Sequence, residues 1–488
     1  VNATADHLCH VCVKDKFLKA EIKAEGNKAV CMRCGKTRLA MDFIELTLRI
    51  DEAIQEHWVP VEDDGQPYAD LVAEQAQIDL EIADQMRQFL SNSRGYRAVK
   101  YGEDNIYDSS VLYDEGRLDR GPYLRGWEQF KESVKKEARF FNHHADEYLT
   151  DIFTGIEEQA SWSGESVITT WKPTPVFPLV RGRVAESDAD LQTFLSNPSQ
   201  ELGPPPEGTA TAGRMNAAGV STFYGALDVP TCRAEIRPPV GSHAVFACFE
   251  LVREIRVLDV DALARIAVVG SIFDPDYSTR LARAAFLRNF GNEIARPVMP
   301  RDETFGYLPT QVVADYIAQR LGLDGMLYRS VQSGTERTSS GGYPQNIVLF
   351  HHAARVEPIN VGRLKIEVDL GWIDEEEQDA DDSISVREEE LPPKRKPRKP
   401  EDLGVFQGIF QPVFEDGPPP GDDDYRKVTL RLMQDSISVQ RIRGVDYNPS
   451  ERHVSRRRVT IKAMREEKKR WAKLMGKRTR AVDPVDPF

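Results

Sequence analysis

The chain has 488 residues, of which 40% are hydrophobic and 29% charged, and a formal net charge of −14. That length exceeds one ordinary core and predicts about two to four domains. No run of about 18 apolar residues occurs, which excludes a helical membrane span, and the acidic balance excludes a surface that binds nucleic acid throughout.

Residues 1–39 are expected to form a zinc ribbon. Cys9 and Cys12 make one C-x-x-C pair, and Cys31 and Cys34 make a second one eighteen residues further on. Each pair can aim two thiolates at one ion, and four sulfurs complete the tetrahedron of a structural zinc site. Four protein ligands leave no position open for a substrate, so this site reads as a fold staple or docking module. His7 and His10 flank the first pair and could replace one thiolate. Cys232 and Cys248 read as small buried residues. This usage suits a reducing cytoplasm more than a disulfide framework. The first residues carry no apolar signal segment, which argues against secretion. They also carry no initiator Met, which implies processing or trimming.

Residues 40–155 read as an α-helical domain. Phe43, Leu46, Leu48 and Ile54 open one apolar stripe, and Leu71, Ile78, Leu80, Ile82, Met86 and Phe89 carry another. A single helix is predicted from Trp127 to about Phe153, burying Phe130, Val134, Ala138, Phe141, Tyr148 and Leu149. Within it the spacing of Arg139 and His144 resembles the Arg-x4-6-His motif of HEPN ribonucleases, with Phe140 where that family usually has a polar residue. The alternative is a helix whose basic and His residues face solvent or pack on the next domain.

Residues 160–176 are turn-rich and read as a connecting strand or linker, with a boundary near 155–172. From there to 372 the pattern is that of an α/β or α+β domain. Strands are expected at 179–184, 222–224, 243–251 and 254–260, and helices at 278–291 and 310–321. Two short apolar runs, 325–330 and 347–351, read as buried strands. Residues 373–425 are acidic and proline-rich and read as a disordered linker that carries one apolar run, VFQGIFQPVF. Residues 426–488 form a basic C-terminal segment, with 18 Lys+Arg against 5 Asp+Glu between Arg426 and Arg480. There, 427–439 alternates like a strand and 459–475 looks helical. The segment either contacts nucleic acid or an acidic partner, or neutralises the acidic body.

The stretch 202–241 carries the most chemistry. It holds a Gly-Arg-x-Asn turn (Gly213, Arg214, Asn216), a short aromatic strand ending at Tyr224, and a helix-sized segment with Glu235. Glycines admit close approach of a ligand to the backbone. An arginine at such a turn can fork two hydrogen bonds onto a phosphate. A carboxylate beyond it can face a developing positive charge. Together they suit a phosphate-bearing substrate that breaks toward a cation.

Residues 177–351 resemble the RES domain family, named for its Arg, Glu and Ser. The matching pieces are LVRGR (179–183), AGRMN (212–216), FYGA (223–226), AEIR (234–237), DGMLYRS (324–330) and NIVLF (346–350). The resemblance implies a fold similar to ADP-ribosyltransferase toxins, and NAD+ degradation by hydrolysis or phosphorolysis, as in bacterial toxin–antitoxin systems. It places the family's Arg, Glu and Ser on Arg181, Glu235 and Ser330. Arg181 and Arg214 would hold the pyrophosphate or an incoming phosphate. Glu235 would bind the ribose and stabilise the cation, Ser330 would meet the nicotinamide end, and Tyr224 would pack on a ring. Asn216 would fix the turn. Many members have Tyr after the first arginine, where this chain has Gly182; Arg183 could share the role of Arg181. The preceding helical region resembles the HEPN-like domain that accompanies some RES domains.

The implied protein is an NAD+-consuming enzyme of toxin or defence character, with a cognate antitoxin or the C-terminal tail as inhibitor, and homo-oligomers as one arrangement. Rival readings are ADP-ribosyl transfer to a protein or nucleic acid, a HEPN-type RNase or nucleic-acid-binding protein, and an inactive RES scaffold.

Overall fold

The computed structural model describes residues 6–116, 121–138, 141–174, 178–295, 301, 303–333, 343–358, 364–371, 384–390 and 424–445. The chain divides into a unit Val1–Ile442 and a second unit Arg443–Phe488, of which residues 443–445 are described. Arg139, Phe140, the linker at 391–423 and the basic residues from 446 onward lie outside the described residues. Among the described residues no helix is long and apolar enough to cross a membrane.

The N-terminal elements begin with β1 (His7–Cys9), α1 (Lys16–Glu25), β2 (Asn27–Val30) and β3 (Thr37–Asp42), the strands pairing in the order β1-β3-β2. Asp15 caps α1 by accepting from the Phe17 and Leu18 N–H groups. Asp42 caps α2 (Phe43–His57) in the same way. Next come β4 (Trp58–Val61), β5 (Gln66–Pro67), α3 (Tyr68–Ala76), α4 (Leu80–Leu90), a π turn at Ser91–Gly95, α5 (Tyr96–Lys100) and β6 (Leu112–Glu115). Leu18 and Ile22 of α1, Ile50 of α2, Leu71 of α3 and Met86 of α4 belong to one buried cluster. The cysteine-bearing strands and the helices after them therefore share a core, which also takes in Phe273.

The helix predicted from Trp127 to Phe153 is two helices, α6 (Gly121–Lys136) and α7 (His143–Phe153). Phe141 sits at φ +55° in the left-handed region and is 97% exposed. Ala138 is exposed as well, so neither belongs to the buried stripe expected of them. Asn142 makes the break. Its Oδ1 accepts from the Ala145 N–H as the α7 cap, and its Nδ2 donates to the Ala138 carbonyl. An uncapped reading of periodicity runs across such a corner.

The remaining elements build an eight-stranded mixed sheet, its helices and a separate two-stranded hairpin. They are β7 (Ile168–Trp171), β8 (Leu179–Ala185), α8 (Asp188–Ser196), α9 (Pro198–Glu201), β9 (Phe223–Ala226), α10 (Val229–Ile236), β10 (His243–Leu251), β11 (Ile255–Asp259) and α11 (Val260–Leu263). Then follow α12 (Tyr277–Ala295), α13 (Glu303–Gly306), α14 (Leu308–Gln319), β12 (Gly325–Arg329), β13 (Gln345–Leu349), the hairpin β14 (Leu364–Asp369) with β15 (Ser385–Glu390), and β16 (Leu430–Arg441). The strand order is β16-β10-β8-β9-β13-β12-β11-β7. Among the described strands of this sheet, only β11 and β12 pair in parallel.

Side chains alternate between the two faces, as a pleated strand requires. Met326 and Val348 join the core under α6, α7, α12 and α14, while Leu327, Ile347 and Leu349 join the opposite core with Phe194 of α8. Two stretches outside the expected strands of this domain enter its sheet. The stretch read as a connecting segment supplies β7, paired with β11. The start of the basic segment supplies β16, paired with β10 from Leu251↔Leu430 to His243↔Arg441.

Strands β8 and β9 meet at one register, Val180↔Ala226. Beyond it they part, and α10 lies over the opening, its Cys232 packed with Val180 and Ala226.

Candidate functional site

Asp228 sets α10 in place by accepting from the Thr231 N–H at 2.7 Å, and Pro230 suits the first turn. Arg237, at φ +46°, ends the helix. Cys232, Glu235 and Ile236 are spaced i, i+3 and i+4, so they share one helical face. All three line a cavity of about 220 Å³ with Arg181 and Gly182 of β8, Tyr224, Gly225 and Ala226 of β9, Tyr328 of β12 and Asn346 of β13.

Arg181 sits where β8 and β9 separate. Its Nη1 donates to the Tyr224 carbonyl at 2.8 Å and its Nε to the Gly203 carbonyl at 3.2 Å. Among the described residues no carboxylate forms an ion pair with it. Burial pulls the guanidinium down to about 10, since a charge loses water there without gaining a counter-charge. Arg183 is different: its Nη1 pairs with Glu201 Oε2 at 2.7 Å, and it lies over the Phe194 ring. It is neutralised outside the cavity and does not share the position of Arg181.

Glu235 is held through one oxygen. Its Oε1 accepts from Ser330 Oγ at 2.6 Å and from Asn346 Nδ2 at 2.7 Å. Ser330 is 2% exposed and follows directly on β12. Its Oγ also accepts from the Gln332 and Ser333 N–H groups at 3.2 Å, which fixes the hydroxyl proton toward Glu235. Burial pushes the Cys232 thiol up to about 12 and raises the Tyr224 and Tyr328 phenols above their ordinary value. At neutral pH the cavity thus presents one cation, one doubly bonded carboxylate and neutral aromatic and thiol walls.

The Gly-Arg-x-Asn turn lies beside the cavity. Asn216 Nδ2 donates to the carbonyls of Thr211, Ala217 and Val220. Its Oδ1 accepts from the Tyr224 hydroxyl at 2.8 Å, which in turn accepts from the Met215 N–H. Gln311 Nε2 reaches the Gly213 and Asn216 carbonyls. Asn216 therefore braces the turn, and the Tyr224 hydroxyl is fully used in bracing it, leaving the Tyr224 ring to line the cavity. Arg214 points elsewhere than expected of a phosphate clamp: its Nη1 donates to the Ile294 carbonyl at 2.7 Å.

Gly182, where a tyrosine was expected from the family pattern, has no room for one. A Cβ there would lie 2.8 Å from the Phe246 ring and 3.1 Å from Ile236 Cδ1. Two wall residues escaped the sequence reading, Tyr328 and Asn346. The register Ala226↔Asn346↔Tyr328 puts them in one row across three strands. Their signal was present in the alternation of 325–330 and 346–350, where each is polar on the face of an otherwise apolar row.

Residues 187–371 match the family model of the RES domain. The chain carries a RES domain. Glu235, Ser330, Tyr328 and Asn346 fall inside the matched stretch, and Arg181 falls just ahead of it. Among solved structures the chain is similar to one in the crystal structure of the M. tuberculosis MbcT–MbcA toxin–antitoxin complex, at 16% identity over 43% of this chain and 86% of that chain, with a TM-score of 0.19. No curated protein matches the chain.

Outside the RES domain, the four clustered cysteines come together. One sulfur from each of Cys9, Cys12, Cys31 and Cys34 lies within 4.8 Å of the others, and the Cys9–Cys34 and Cys12–Cys31 sulfurs are 3.8 Å apart. Burial acts to raise the Cys31 thiol, yet the N–H groups of Cys34, Cys9 and Arg33 bring it down to about 7. Four convergent sulfurs, one of them readily ionised, fit a metal ion. His10 is turned away, its Nδ1 on the Leu39 carbonyl.

Proposed function

We propose that this protein degrades NAD+ by cleaving the nicotinamide–ribose bond, as a glycohydrolase or phosphorylase of RES type, and serves as the toxin of a toxin–antitoxin or defence system. The observation that carries the reading is the unpaired Arg181 in one cavity with Glu235, whose carboxylate is tied down by Oε1 alone. A half-buried cation that no carboxylate of the described residues pairs favours an anionic ligand, here the pyrophosphate. A fixed carboxylate favours positive charge forming next to it. A cavity of about 220 Å³ is below the about 300–1,000 Å³ that encloses a whole drug-sized ligand. It suits one end of a dinucleotide, the nicotinamide and its ribose, with the remainder outside.

In this reading the C–N bond breaks with its electron pair going to nicotinamide, which leaves neutral. The oxocarbenium-like carbon is faced by Glu235 and takes an oxygen from water or phosphate. Ser330 and Asn346 keep Glu235 oriented, and Tyr224 packs against a ring. Arg214, bonded to the Ile294 carbonyl, would have to leave it to reach a phosphate, and Asn216 holds its turn in shape. The RES domain would share the ADP-ribosyltransferase-like fold expected of its family.

Structural zinc would occupy the four cysteines. A Zn–S bond of about 2.3 Å gives a tetrahedral edge of about 3.8 Å, which agrees with the sulfur separations of the Cys9–Cys34 and Cys12–Cys31 pairs. A cognate antitoxin, or the tail acting in cis, would restrain the enzyme.

The test is NAD+ consumption by purified protein with and without phosphate, wild type beside Glu235→Ala, with products resolved by mass. Loss of NAD+ in the wild type alone supports the reading. Free ADP-ribose then means hydrolase, and its phosphorylated form means phosphorylase. No loss in either protein, at any phosphate concentration, overturns it.

A further inference from the structure

Asn346 has a feature that its place in a strand does not require. It is 3% exposed and sits mid-sheet, paired across to Ala226 on one side and Tyr328 on the other. Its Nδ2 donates to Glu235 Oε1 at 2.7 Å. Its Oδ1 is buried and, among the described residues, accepts no hydrogen bond. The assignment of the two amide atoms follows from chemistry, because a carboxylate oxygen can only accept. An unmet buried acceptor is costly, and an apolar residue would fill the site without that cost. Such groups are rare in native interiors and mark a working role.

We infer that Asn346 is a positioning residue of the cavity: with Ser330 it pins Glu235 by one oxygen, and its own Oδ1 is an acceptor kept for a donor on the ligand. The inference rests on the NAD+ reading above and extends it. Two donors converge on Oε1 from different strands, Ser330 from the end of β12 and Asn346 from the start of β13. That double hold fixes the carboxylate plane and leaves Oε2 for the ligand. A ligand matched to Oε2 and the Asn346 Oδ1 brings two hydrogen-bond donors close together, as the vicinal hydroxyls of a ribose do.

The charged and titratable groups around this pair are Arg181 on β8, Tyr224 on β9, Cys232 and Glu235 on α10, and Tyr328 on β12, with Arg214 and Asp228 beyond them. Burial brings the Arg181 guanidinium down to about 10, pushes the Cys232 thiol up to about 12, and raises both phenols above their ordinary value. These four groups are therefore quiet between about pH 5 and 8.5.

The substitution Asn346→Asp exploits that quiet window. In its protonated form the introduced carboxyl is nearly isosteric with the amide and can donate to Glu235. Once the shared proton is lost, two carboxylates face each other and repel. Melting temperatures of wild type, Asn346→Asp and Asn346→Asp with Glu235→Gln are measured from about pH 5 to 8.5, and NAD+ turnover of the first two over the same range.

Asn346→Asp is expected to melt near wild type at the acid end of the range and well below it at the alkaline end, and Glu235→Gln is expected to remove that pH dependence. Its kcat relative to wild type is expected to fall about 100-fold or more across the range. A deficit independent of pH, or one that persists unchanged with Glu235→Gln, overturns the inference. So does an unchanged kcat at the alkaline end in folded protein. A wild type inert toward NAD+ sinks the parent reading separately, while the melting comparison still decides the Asn346–Glu235 contact.

Discussion

Val180 and Ala226 form the one register at which strands β8 and β9 are paired. Past that pair the strands diverge, and Arg181 spans the gap to the Tyr224 carbonyl. The cavity exists because the sheet opens there and α10 covers the opening with Glu235 on its inner face.

Glu235 is the first residue to change. Glu235→Gln should lower NAD+ turnover about 100- to 1,000-fold, the scale for losing one electrostatic stabiliser of a transition state. The same protein should stay folded, since Ser330 and Asn346 can donate to an amide oxygen. Turnover within a few-fold of wild type would remove Glu235 from the chemistry.

Arg181 predicts anion-dependent stability. Pyrophosphate should raise the wild-type melting temperature in a concentration-dependent way, following RT ln(1 + [L]/Kd). Arg181→Met should abolish the rise. An equal shift in both proteins would mean that the anion binds elsewhere.

Gly182 should resist any side chain. Gly182→Ala drives a Cβ into the Phe246 ring, and overpacking of this kind costs about 1–3 kcal/mol. Pairing it with Phe246→Leu should recover part of the loss in a denaturant titration. A neutral Gly182→Ala would show that Phe246 yields freely.

Asp324 gives a pH signature in stability. Burial alone would raise its carboxyl, but His352, Arg253 and the Arg256 N–H hold it down at about 2, from an ordinary 3.8. A depressed carboxyl contributes fully above its unfolded value and loses that contribution as pH falls through the folded one. The contribution is about 2 kcal/mol at about 1.36 kcal/mol per unit. Asp324→Asn should therefore be less stable than wild type near neutral pH, with the gap closing from about pH 4 toward about pH 2. A gap that ignores pH would contradict the assignment.

The four cysteines predict about one zinc per chain by metal analysis, lost with Cys9→Ser or Cys31→Ser. Because these strands share a core with α1 to α4, removal by a chelator should lower the melting temperature as well. Retention of full stability without metal would leave the cluster as four thiols.

Much of this site was legible in the chain. The Cys-x-x-Cys pairs and the helix carrying Glu235 follow from local spacing and capping, as does the aromatic strand, which runs two residues past the expected end at Tyr224. Ser330 was named by the resemblance to the RES domain family and not by its local sequence. What was not legible depends on long-range register. Asn346 meets Glu235 only because β13 lies beside β9, and Arg183 is taken out of play by Glu201 on a neighbouring helix. Arg214 looked like a free phosphate clamp because nothing local reveals the Ile294 carbonyl that it meets. The corner at Phe141 was hidden by an apolar residue in phase with the helix, although Asn142 carried the capping signal.

Strand β16 has a consequence for how the molecule comes to be active. The bond from the Cys248 N–H to Ser436 Oγ spans 188 residues of chain, so the flank of β10 stays bare until nearly all of the described sequence has been synthesised. Contacts this distant form late and slowly. A nascent chain on the ribosome would hold Arg181 and Glu235 already made but the sheet around them unfinished, so the proposed NAD+ cleavage would wait until translation has passed Arg441, where β16 ends.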